Sequence, residues 1–286
     1  MEILKAREMG FCFGVRRAIN IMERAAQERG PIESLGAIVH NRQVVDMLAQ
    51  RGITVIDELE DSSCNIVAIT SHGVGPEVPE TARNMGLTVI DTTCPFVRKA
   101  QAAGKKLVGE GFRVVIFGEA DHPEVKGVLG WTGDAGIAAT DWTTILSRGR
   151  LPRRLGIISQ TTQSTAAFGS FVKELVDTHL GRLVELRVIN TICNATTGRQ
   201  SAALELAHQV DLMIVIGGRN SANTRHLAQL CAEAGAETYH VETAAEIEEA
   251  WFENRKKVGI TAGASTPAQS IDEVILRVEE LTRWQS

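Results

Sequence analysis

The stretch Leu87-Thr-Val-Ile-Asp-Thr-Thr-Cys94 is a short apolar run that ends in a polar turn and a cysteine, and a helical pattern begins directly after it. A continuous apolar run of this length is typical of a parallel strand that is buried on both faces. The change of pattern after Cys94 indicates a strand-to-helix junction. The stretch therefore predicts a buried strand that delivers one thiol to the start of a helix.

The same kind of junction occurs three times along the chain. Cys12 lies in Gly10-Phe-Cys-Phe-Gly14, and Cys193 lies in Asn190-Thr-Ile-Cys-Asn194. A polar loop follows 28 positions after each cysteine, and its residues are His40, His122 and Ser221. A second polar loop follows at the end of a later strand in each segment, and these loops carry His72, Thr161 and Ser265. The matched arrangement indicates one structural unit repeated three times.

Strand and helix patterns alternate along almost the whole chain, which indicates an α/β protein. The predicted buried strands are 65–70, 87–91, 113–118, 156–159, 183–190, 211–217 and 258–261. We predict three similar α/β domains with small, mostly parallel sheets, arranged with pseudo-threefold symmetry around a central cavity. The domains are residues 14–94, 95–193 and 194–286, and residues 1–13 supply a strand at Glu2–Ala6 that completes the third sheet.

The composition is that of an ordinary globular protein, with 286 residues, 44% hydrophobic residues and a net charge of −5. The negative charge argues against a nucleic-acid partner. No apolar run approaches the ~20 residues that span a bilayer, and the N-terminus does not resemble a signal peptide. We therefore expect a cytoplasmic protein without a membrane partner. Thiols stay reduced in that compartment, so the five cysteines suggest metal binding or catalysis rather than disulfides.

Three widely spaced cysteines leave more than one interpretation open. A structural zinc site usually takes paired cysteines of the CxxC type, and none occurs here. Single thiols from separate segments suit a cluster held between domains, and a cubane iron–sulfur cluster with three thiolates would keep one iron open. The third interpretation, cysteines buried in the core, suits Cys231 on its apolar helix face better than Cys12, Cys94 or Cys193.

The polar loops after the predicted strands form a second group of candidate site residues. In open α/β sheets ligands bind beyond the carboxyl ends of the strands. Imidazoles, hydroxyls and backbone amides at helix N-termini make an anion site there, although any single loop histidine is more often only solvated. Glu124 beside His122 is a candidate proton source if burial raises its pKa, and the alternative is a surface carboxylate. The anion candidates are His40, His72, His122, Thr161, Ser221, Asn223 and Ser265.

Short stretches spread over the whole chain resemble one known family, the LytB/IspH family of 4-hydroxy-3-methylbut-2-enyl diphosphate reductases. Together they are highly specific for it. They are Gly10-Phe-Cys-Phe-Gly-Val15, His40-Asn41, Ser71-His-Gly-Val74, Thr93-Cys-Pro95, His122-Pro-Glu-Val125, Gln160-Thr-Thr162, Cys193-Asn-Ala-Thr-Thr197, Arg199-Gln200, Asn220-Ser-Ala-Asn223 and Thr261-Ala-Gly-Ala-Ser-Thr-Pro267. Ala222 departs from the pattern, because some members have a second serine at this position.

The resemblance implies an activity and a cofactor. The reaction would be the reductive dehydroxylation of an allylic alcohol diphosphate to isopentenyl and dimethylallyl diphosphates, the last step of the methylerythritol phosphate route to isoprenoids. Residues matching Cys12, Cys94 and Cys193 would hold a 4Fe-4S cluster in the central cavity, with the fourth iron open to water or to the substrate hydroxyl. A flavodoxin or a ferredoxin would supply the electrons.

The resemblance also implies the roles of the loop residues. Residues matching Glu124 and Thr161 would deliver a proton and orient the substrate hydroxyl, and His122 lies at the same centre. Diphosphate contacts would come from His40, His72, His122, Ser221, Asn223 and Ser265. Two alternatives remain open at this point. One is an open-iron 4Fe-4S dehydratase, which needs no external electrons, and the other is a cluster-based sensor that binds a small diphosphate without turnover.

Overall fold

The computed structural model describes residues 1–283, in which strands and helices alternate along the chain. The strands are β1 (Glu2–Lys5), β2 (Ile32–Leu35), β3 (Ile53–Ile56), β4 (Ile66–Ile69), β5 (Thr88–Asp91), β6 (Arg113–Phe117), β7 (Gly136–Ala139), β8 (Arg154–Ser159), β9 (Glu185–Val188), β10 (Leu212–Ile216), β11 (Glu237–Val241) and β12 (Lys257–Ala262). The helices are α1 (Phe13–Arg29), α2 (Arg42–Ala49), α3 (Glu77–Asn84), α4 (Pro95–Gly109), α5 (Pro123–Thr132), α6 (Trp142–Ser147), α7 (Thr165–His179), α8 (Asn194–Ala207), α9 (Ala222–Glu233) and α10 (Ala268–Thr282).

The strands form three four-stranded sheets of identical topology. Sheet A has the order β11-β10-β12-β1, sheet B has β3-β2-β4-β5, and sheet C has β7-β6-β8-β9. All strand pairs in these sheets are parallel. The predicted α/β class is therefore confirmed, and so is the N-terminal strand, because Glu2–Lys5 pairs with Lys257–Ile260 of β12. None of the helices within residues 1–283 is both long and apolar enough to cross a membrane.

The chain divides into two compact units. The first comprises residues 1–16, 39–47 and the chain from Asn194 onward, and it contains sheet A. The second comprises residues 17–38 and 48–193, and it contains sheets B and C. Each of the three sheets takes its strands from one of the three predicted segments. Whether each sheet belongs to a domain of its own stays a prediction.

Sheet A is covered by helices on both faces. Leu212, Ile214 and Ile216 of β10 pack into one apolar cluster with the buried residues of α10. Met213 and Val215, which point the other way because side chains alternate along a strand, pack with α8 and α9. Cys231 of α9 is fully buried in this second cluster, and burial raises the pKa of its thiol to about 12. This confirms the prediction that Cys231 is a core residue.

Sheet C is covered in the same way within the second unit. Val115 and Phe117 of β6 pack with α6 and α7. Val114 and Ile116 pack on the other face with α4 and α5. The continuous apolar runs in the sequence thus correspond to strands that have no solvent-facing side. Polar residues are left for the carboxyl ends of the strands, where the candidate site residues lie.

Candidate active site

The three candidate ligand cysteines are held in the same way. Each lies in the segment that follows one edge strand of its sheet, which is β1, β5 or β9. The backbone N–H of each cysteine donates a hydrogen bond to a carbonyl of the loop that follows the neighbouring strand. The three bonds are Cys12 to Ala264 (3.0 Å), Cys94 to Ser71 (3.0 Å) and Cys193 to Thr161 (3.1 Å). Each bond fixes a thiol beside the second polar loop of its own sheet, which contains Ser265, His72 or Thr161. The sequence repeat therefore corresponds to a structural repeat.

Each cysteine also stands at the start of a helix. Cys94 is the N-cap residue of α4, with Pro95 in the first turn, and Cys12 and Cys193 directly precede α1 and α8. The N–H of Val15 points at the Cys12 sulfur, 3.4 Å away. Helix N-termini carry unpaired N–H groups and a partial positive charge, which stabilise an anionic sulfur. The three half-buried thiols therefore fit the role of thiolate ligands for a metal cluster.

Two arginines, Arg17 and Arg199, hold the turns that carry two of these cysteines, and neither was predicted to have this role. Arg17 donates hydrogen bonds to the carbonyls of Thr92 and Thr93, both at 3.2 Å, just before Cys94. Arg199 is buried and donates to the Gly10 carbonyl at 2.8 and 3.2 Å. Arg199 falls within a stretch that carries the family resemblance, whereas nothing in the local pattern around Arg17 marks it. Both contacts join residues that are distant in sequence.

Glu124 is buried and paired with Thr161. Only 2% of its surface is exposed, so it is not a surface carboxylate. The Thr161 N–H donates to Oε1 at 2.6 Å, and the Thr161 hydroxyl donates to Oε2 at 2.7 Å. Burial raises the pKa of Glu124 from 4.5 to about 7, although both hydrogen bonds act to lower it. A carboxyl group with this pKa is protonated in about half of the molecules at neutral pH, which suits a proton donor.

His122 is oriented by the helix that it caps. Its Nδ1 accepts a hydrogen bond from the Glu124 N–H at 3.1 Å, so a neutral His122 ring carries its proton on Nε2. The His72 ring meets the His122 ring edge-on, with 5.5 Å between their centroids. His72 lies in the loop after β4 of sheet B, and His122 lies in the loop after β6 of sheet C, so this contact joins two sheets of the second compact unit. Their proximity could not be seen in the sequence, where they are 50 positions apart.

The loop that carries His72 is packed tightly against α4 and α5. Gly73 has a positive φ of 69°, and a Cβ atom there would lie 2.6 Å from the Gln101 amide nitrogen. The Val74 carbonyl accepts hydrogen bonds from Trp131 Nε1 at 3.0 Å and from Gln101 at 3.2 Å. Glycine at position 73 is thus required both for the backbone conformation and for the close approach.

The first unit contributes a group of buried polar side chains. Ser221 is the N-cap residue of α9, and Asn223 lies in the first turn of that helix. The Asn223 amide oxygen and nitrogen and the Ser265 hydroxyl have no hydrogen-bond partner among residues 1–283. Buried polar atoms are nearly always paired, so these atoms indicate a polar ligand. A helix N-terminus, an amide and a hydroxyl together suit an anion.

His40 belongs to the same unit as Ser221. A Cβ atom on Gly218 would lie 2.2 Å from the His40 carbonyl oxygen, so the two loops meet backbone to backbone. Asn41 caps α2 by accepting a hydrogen bond from the Val44 N–H at 3.2 Å. The first unit thus contains Cys12, His40, Ser221, Asn223 and Ser265, while the second unit contains the remaining candidates, which are His72, Cys94, His122, Glu124, Thr161 and Cys193.

Comparison with known proteins places the whole chain in one family. The sequence model of the LytB protein family matches residues 3–279. A 4-hydroxy-3-methylbut-2-enyl diphosphate reductase of Dehalococcoides mccartyi (strain ATCC BAA-2266 / KCTC 15142 / 195) is 49% identical over 274 residues, which cover 96% of each chain. A reductase of the same name from Syntrophotalea carbinolica is 45% identical and covers 99% of this chain and 100% of its own.

Solved structures give the same result. A structure of (E)-4-hydroxy-3-methyl-but-2-enyl diphosphate reductase, described as the terminal enzyme of the non-mevalonate pathway, is 42% identical, with a TM-score of 0.71 and coverage of 98% and 100% of the two chains. The E-1-hydroxy-2-methyl-but-2-enyl-4-diphosphate reductase from Plasmodium falciparum is 26% identical, with a TM-score of 0.91 and coverage of 97% of this chain and 88% of its own. This family implies an iron–sulfur cofactor, which the three thiols at helix starts fit. The chain belongs to the LytB family.

Proposed function

We propose that this protein reduces 4-hydroxy-3-methylbut-2-enyl diphosphate to isopentenyl diphosphate and dimethylallyl diphosphate, the last step of the methylerythritol phosphate pathway. The allylic alcohol takes up two electrons and two protons, its C–O bond breaks, and water and an alkene diphosphate form. The observation that carries the proposal is the buried Glu124–Thr161 pair, because hydroxide is a poor leaving group and protonation lets it depart as water. The relatives described above are named reductases, which disfavours the dehydratase and the sensor.

The cofactor that we propose is a 4Fe-4S cluster held by Cys12, Cys94 and Cys193, with its fourth iron open. When bound, it would supply electrons one at a time and a Lewis acid for the departing hydroxyl group. The protein holds the three sulfurs through the backbone hydrogen bonds and the helix starts described above. Widely spaced ligands on rigid strand ends suit a cluster better than a zinc ion, which usually takes local cysteine pairs.

The proton route uses Glu124 and Thr161. When Glu124 is protonated, its Oε2–H donates to the Thr161 Oγ1, and the Thr161 hydroxyl can then donate its own hydrogen to the substrate oxygen. The Thr161 N–H continues to donate to Oε1 and keeps the pair aligned. His122 supports this geometry because its Nδ1 accepts from the Glu124 N–H. The pKa of about 7 keeps the proton available near neutral pH.

The diphosphate would be bound mainly by neutral donors. Ser221, Asn223 and Ser265 offer hydroxyl and amide groups next to the N-terminus of α9, and His40, His72 and His122 offer imidazoles. Hydrogen bonds to a charged group contribute about 1.5–3 kcal/mol each. Binding of the remote diphosphate therefore supplies the free energy that places the reacting carbon at the catalytic residues. Ala222 supplies no hydroxyl, but its neighbours on both sides supply polar groups.

We also propose a domain organisation, an electron donor and a cellular location for this protein. The three sheets would correspond to three domains, residues 14–94, 95–193 and 194–286 with 1–13, arranged around a central cavity with the cluster. The electron donor would be a flavodoxin or a ferredoxin. The protein would work in the cytoplasm, where such carriers are available.

Turnover by the anaerobically purified holoprotein tests the function. We expect conversion of 4-hydroxy-3-methylbut-2-enyl diphosphate to the two alkene diphosphates with reduced methyl viologen as the electron donor, and no product without a reductant. Product analysis by NMR separates the proposal from its alternatives. Loss of water without any reductant would establish a dehydratase, and tight binding without product in either condition would establish a sensor. Both results would overturn the proposal.

Ser265→Ala is expected to weaken substrate binding without unfolding the protein. The Ser265 hydroxyl has no partner among residues 1–283, so its loss removes a contact to the ligand and none within the protein. Loss of one hydrogen bond to a charged group, about 1.5 kcal/mol at the lower end, raises the Kd about tenfold. Isothermal titration with the substrate measures the Kd, and urea unfolding measures stability. Ser201→Ala, on an exposed face of α8, is the control and leaves both quantities unchanged.

A further inference from the structure

The exposed face of α4 carries a stripe of cations. Arg98, Lys99, Lys105 and Lys106 are all exposed, and their spacing places them on one side of the helix. The opposite side includes Val97, Ala100 and Leu107, which are all buried, and Ala100 and Leu107 pack with residues of sheet C. We refer to the four cations as the α4 basic stripe. The protein as a whole has a net charge of −5, so this stripe stands out against an acidic background.

Two of the four cations in the stripe are not neutralised by a neighbouring acid. Within α4 itself no residue is acidic. Asp91 pairs with Arg98 at 2.6 Å, and Glu110 reaches Lys106 at 4.0 Å, so each end of the stripe is partly neutralised. Lys99 and Lys105 form no ion pair with any residue between 1 and 283. Two lysines in the middle of the stripe are therefore available to an external anion.

Aromatic rings help to position both lysines. The Lys99 ammonium group lies 5.4 Å from the centroid of the Phe96 ring, and the Lys105 ammonium group lies 5.0 Å from the centroid of the Trp131 ring. A cation over an aromatic face is attracted by the negative charge density of the ring. Long side chains that are partly ordered before binding lose less conformational entropy when a partner docks. The stripe thus has some of the order expected of an interaction surface.

The stripe begins beside a proposed cluster ligand. Cys94 is the N-cap residue of α4, so Arg98 and Lys99 lie within about one and a half helical turns of it, roughly 6–8 Å along the helix axis. A protein that docks on this part of α4 is held close to the Cys94 end of the helix. Substrate reduction needs two electrons from outside, and a carrier that gives one electron at a time must dock twice for each turnover.

We infer that the α4 basic stripe is the docking surface for an acidic one-electron carrier protein. The inference rests on the proposed function, which creates the need for such a carrier. Complementary charge speeds the encounter of two proteins and makes it salt-dependent, which suits a partner that must leave after each electron. A nucleic acid fits this surface less well, because only two of the four cations are without a paired acid and both aromatic rings lie beneath lysines.

The test compares two double variants that change the net charge equally. Lys99→Glu with Lys105→Glu reverses the middle of the stripe. The control, Arg153→Glu with Arg182→Glu, reverses two exposed cations just before β8 and β9, at the amino edge of sheet C. Turnover of each holoprotein is measured with dithionite-reduced flavodoxin and, separately, with reduced methyl viologen. Iron content is measured alongside, so that a folding or cluster defect is recognised.

We expect the stripe variant to raise the KM for flavodoxin on the order of tenfold at low salt, with unchanged turnover on methyl viologen. The flavodoxin KM of the control and the wild type should agree within twofold and rise with salt. An unchanged flavodoxin KM in the stripe variant, or an equal rise in the control, would overturn the inference. Binding of RNA and of anionic vesicles is measured for the wild type and the stripe variant. If the stripe variant loses such binding while its flavodoxin KM is unchanged, the stripe serves another partner and the inference is overturned. Failure of the wild type to turn over with methyl viologen would instead contradict the proposed function.

Discussion

Replacing Cys12, Cys94 or Cys193 by serine is expected to remove the iron–sulfur cluster and, with it, all measurable turnover. A serine hydroxyl is a far poorer ligand for iron than a thiolate, and each of the three sulfurs supplies one of only three proposed protein ligands. The backbone bonds that hold each position do not involve the sulfur, so the variants should fold. Iron and sulfide assays and the visible absorption of anaerobically purified protein measure the loss.

Cys64→Ser is the matched control for these variants. Cys64 is also half-buried, but its hydrogen bonds are made by the backbone: its N–H donates to Glu33 at 3.1 Å, and its carbonyl accepts from the Ser62 hydroxyl at 3.0 Å. Serine retains both bonds. The control should keep its iron and its turnover. A Cys94→Ser protein with a full complement of iron and wild-type turnover would rule out the ligand assignment. A protein that contains one zinc ion in place of iron would support the structural-metal alternative.

Glu124→Gln is expected to lower turnover by 10²–10⁴-fold while the cluster and substrate binding are kept. The glutamine side chain has nearly the same shape and can still accept the hydrogen bond from the Thr161 N–H, but it cannot supply a proton. Steady-state turnover, iron content and the substrate Kd separate these effects. Asp121→Asn, which neutralises an exposed carboxylate in the loop just before α5, is the control and should keep wild-type turnover. Turnover of Glu124→Gln near the wild-type rate would remove Glu124 from the proton route.

The pH dependence of the wild type tests the same assignment. The pKa of Glu124 is raised to about 7 by burial, so most molecules carry the reactive, protonated Glu124 below that pH. Turnover should therefore fall as the pH rises through about 7, and the Glu124→Gln variant should lack this step. Stability changes with the same sign. Between pH 4.5 and about 7 the unfolded chain ionises at Glu124 before the folded protein does, so folding becomes less favourable as the pH rises. Urea unfolding of both proteins across this range measures the difference.

The sequence predicted eight of the twelve strands within residues 1–283, including the edge strands β1, β5 and β9, and missed four. Runs such as 113–118 and 211–217 match β6 and β10 closely, because a strand covered on both faces must be apolar at every position. The edge strands β3, β7 and β11 and the internal strand β2 were not delimited. The three missed edge strands are short and only partly buried, as in the pattern of one buried and three more exposed residues in Ile53–Ile56. Strand β2 is buried, but Glu33 and Ser34 interrupt its apolar residues.

The candidate residues could be identified from the sequence, but the residues that they contact could not. Repetition of cysteines and polar loops at matched spacing identified the residues, because equivalent positions in a repeated unit lie at equivalent strand ends. Arg17 was missed, since its contacts to the Thr92 and Thr93 carbonyls join residues more than 70 positions apart. The same holds for the edge-on contact between His72 and His122.

The sequence by itself therefore determined the α/β class, the threefold repeat of its sheets and the types of side chain at the strand ends, because each depends on local hydrophobic pattern and spacing. Only the tertiary structure decided which of those side chains act together. Whether Glu124 is a solvated carboxylate or a proton donor depends on its burial and on two hydrogen bonds from Thr161, 37 residues away. Desolvation and pairing across the fold set the pKa, and no local stretch of sequence contains either one.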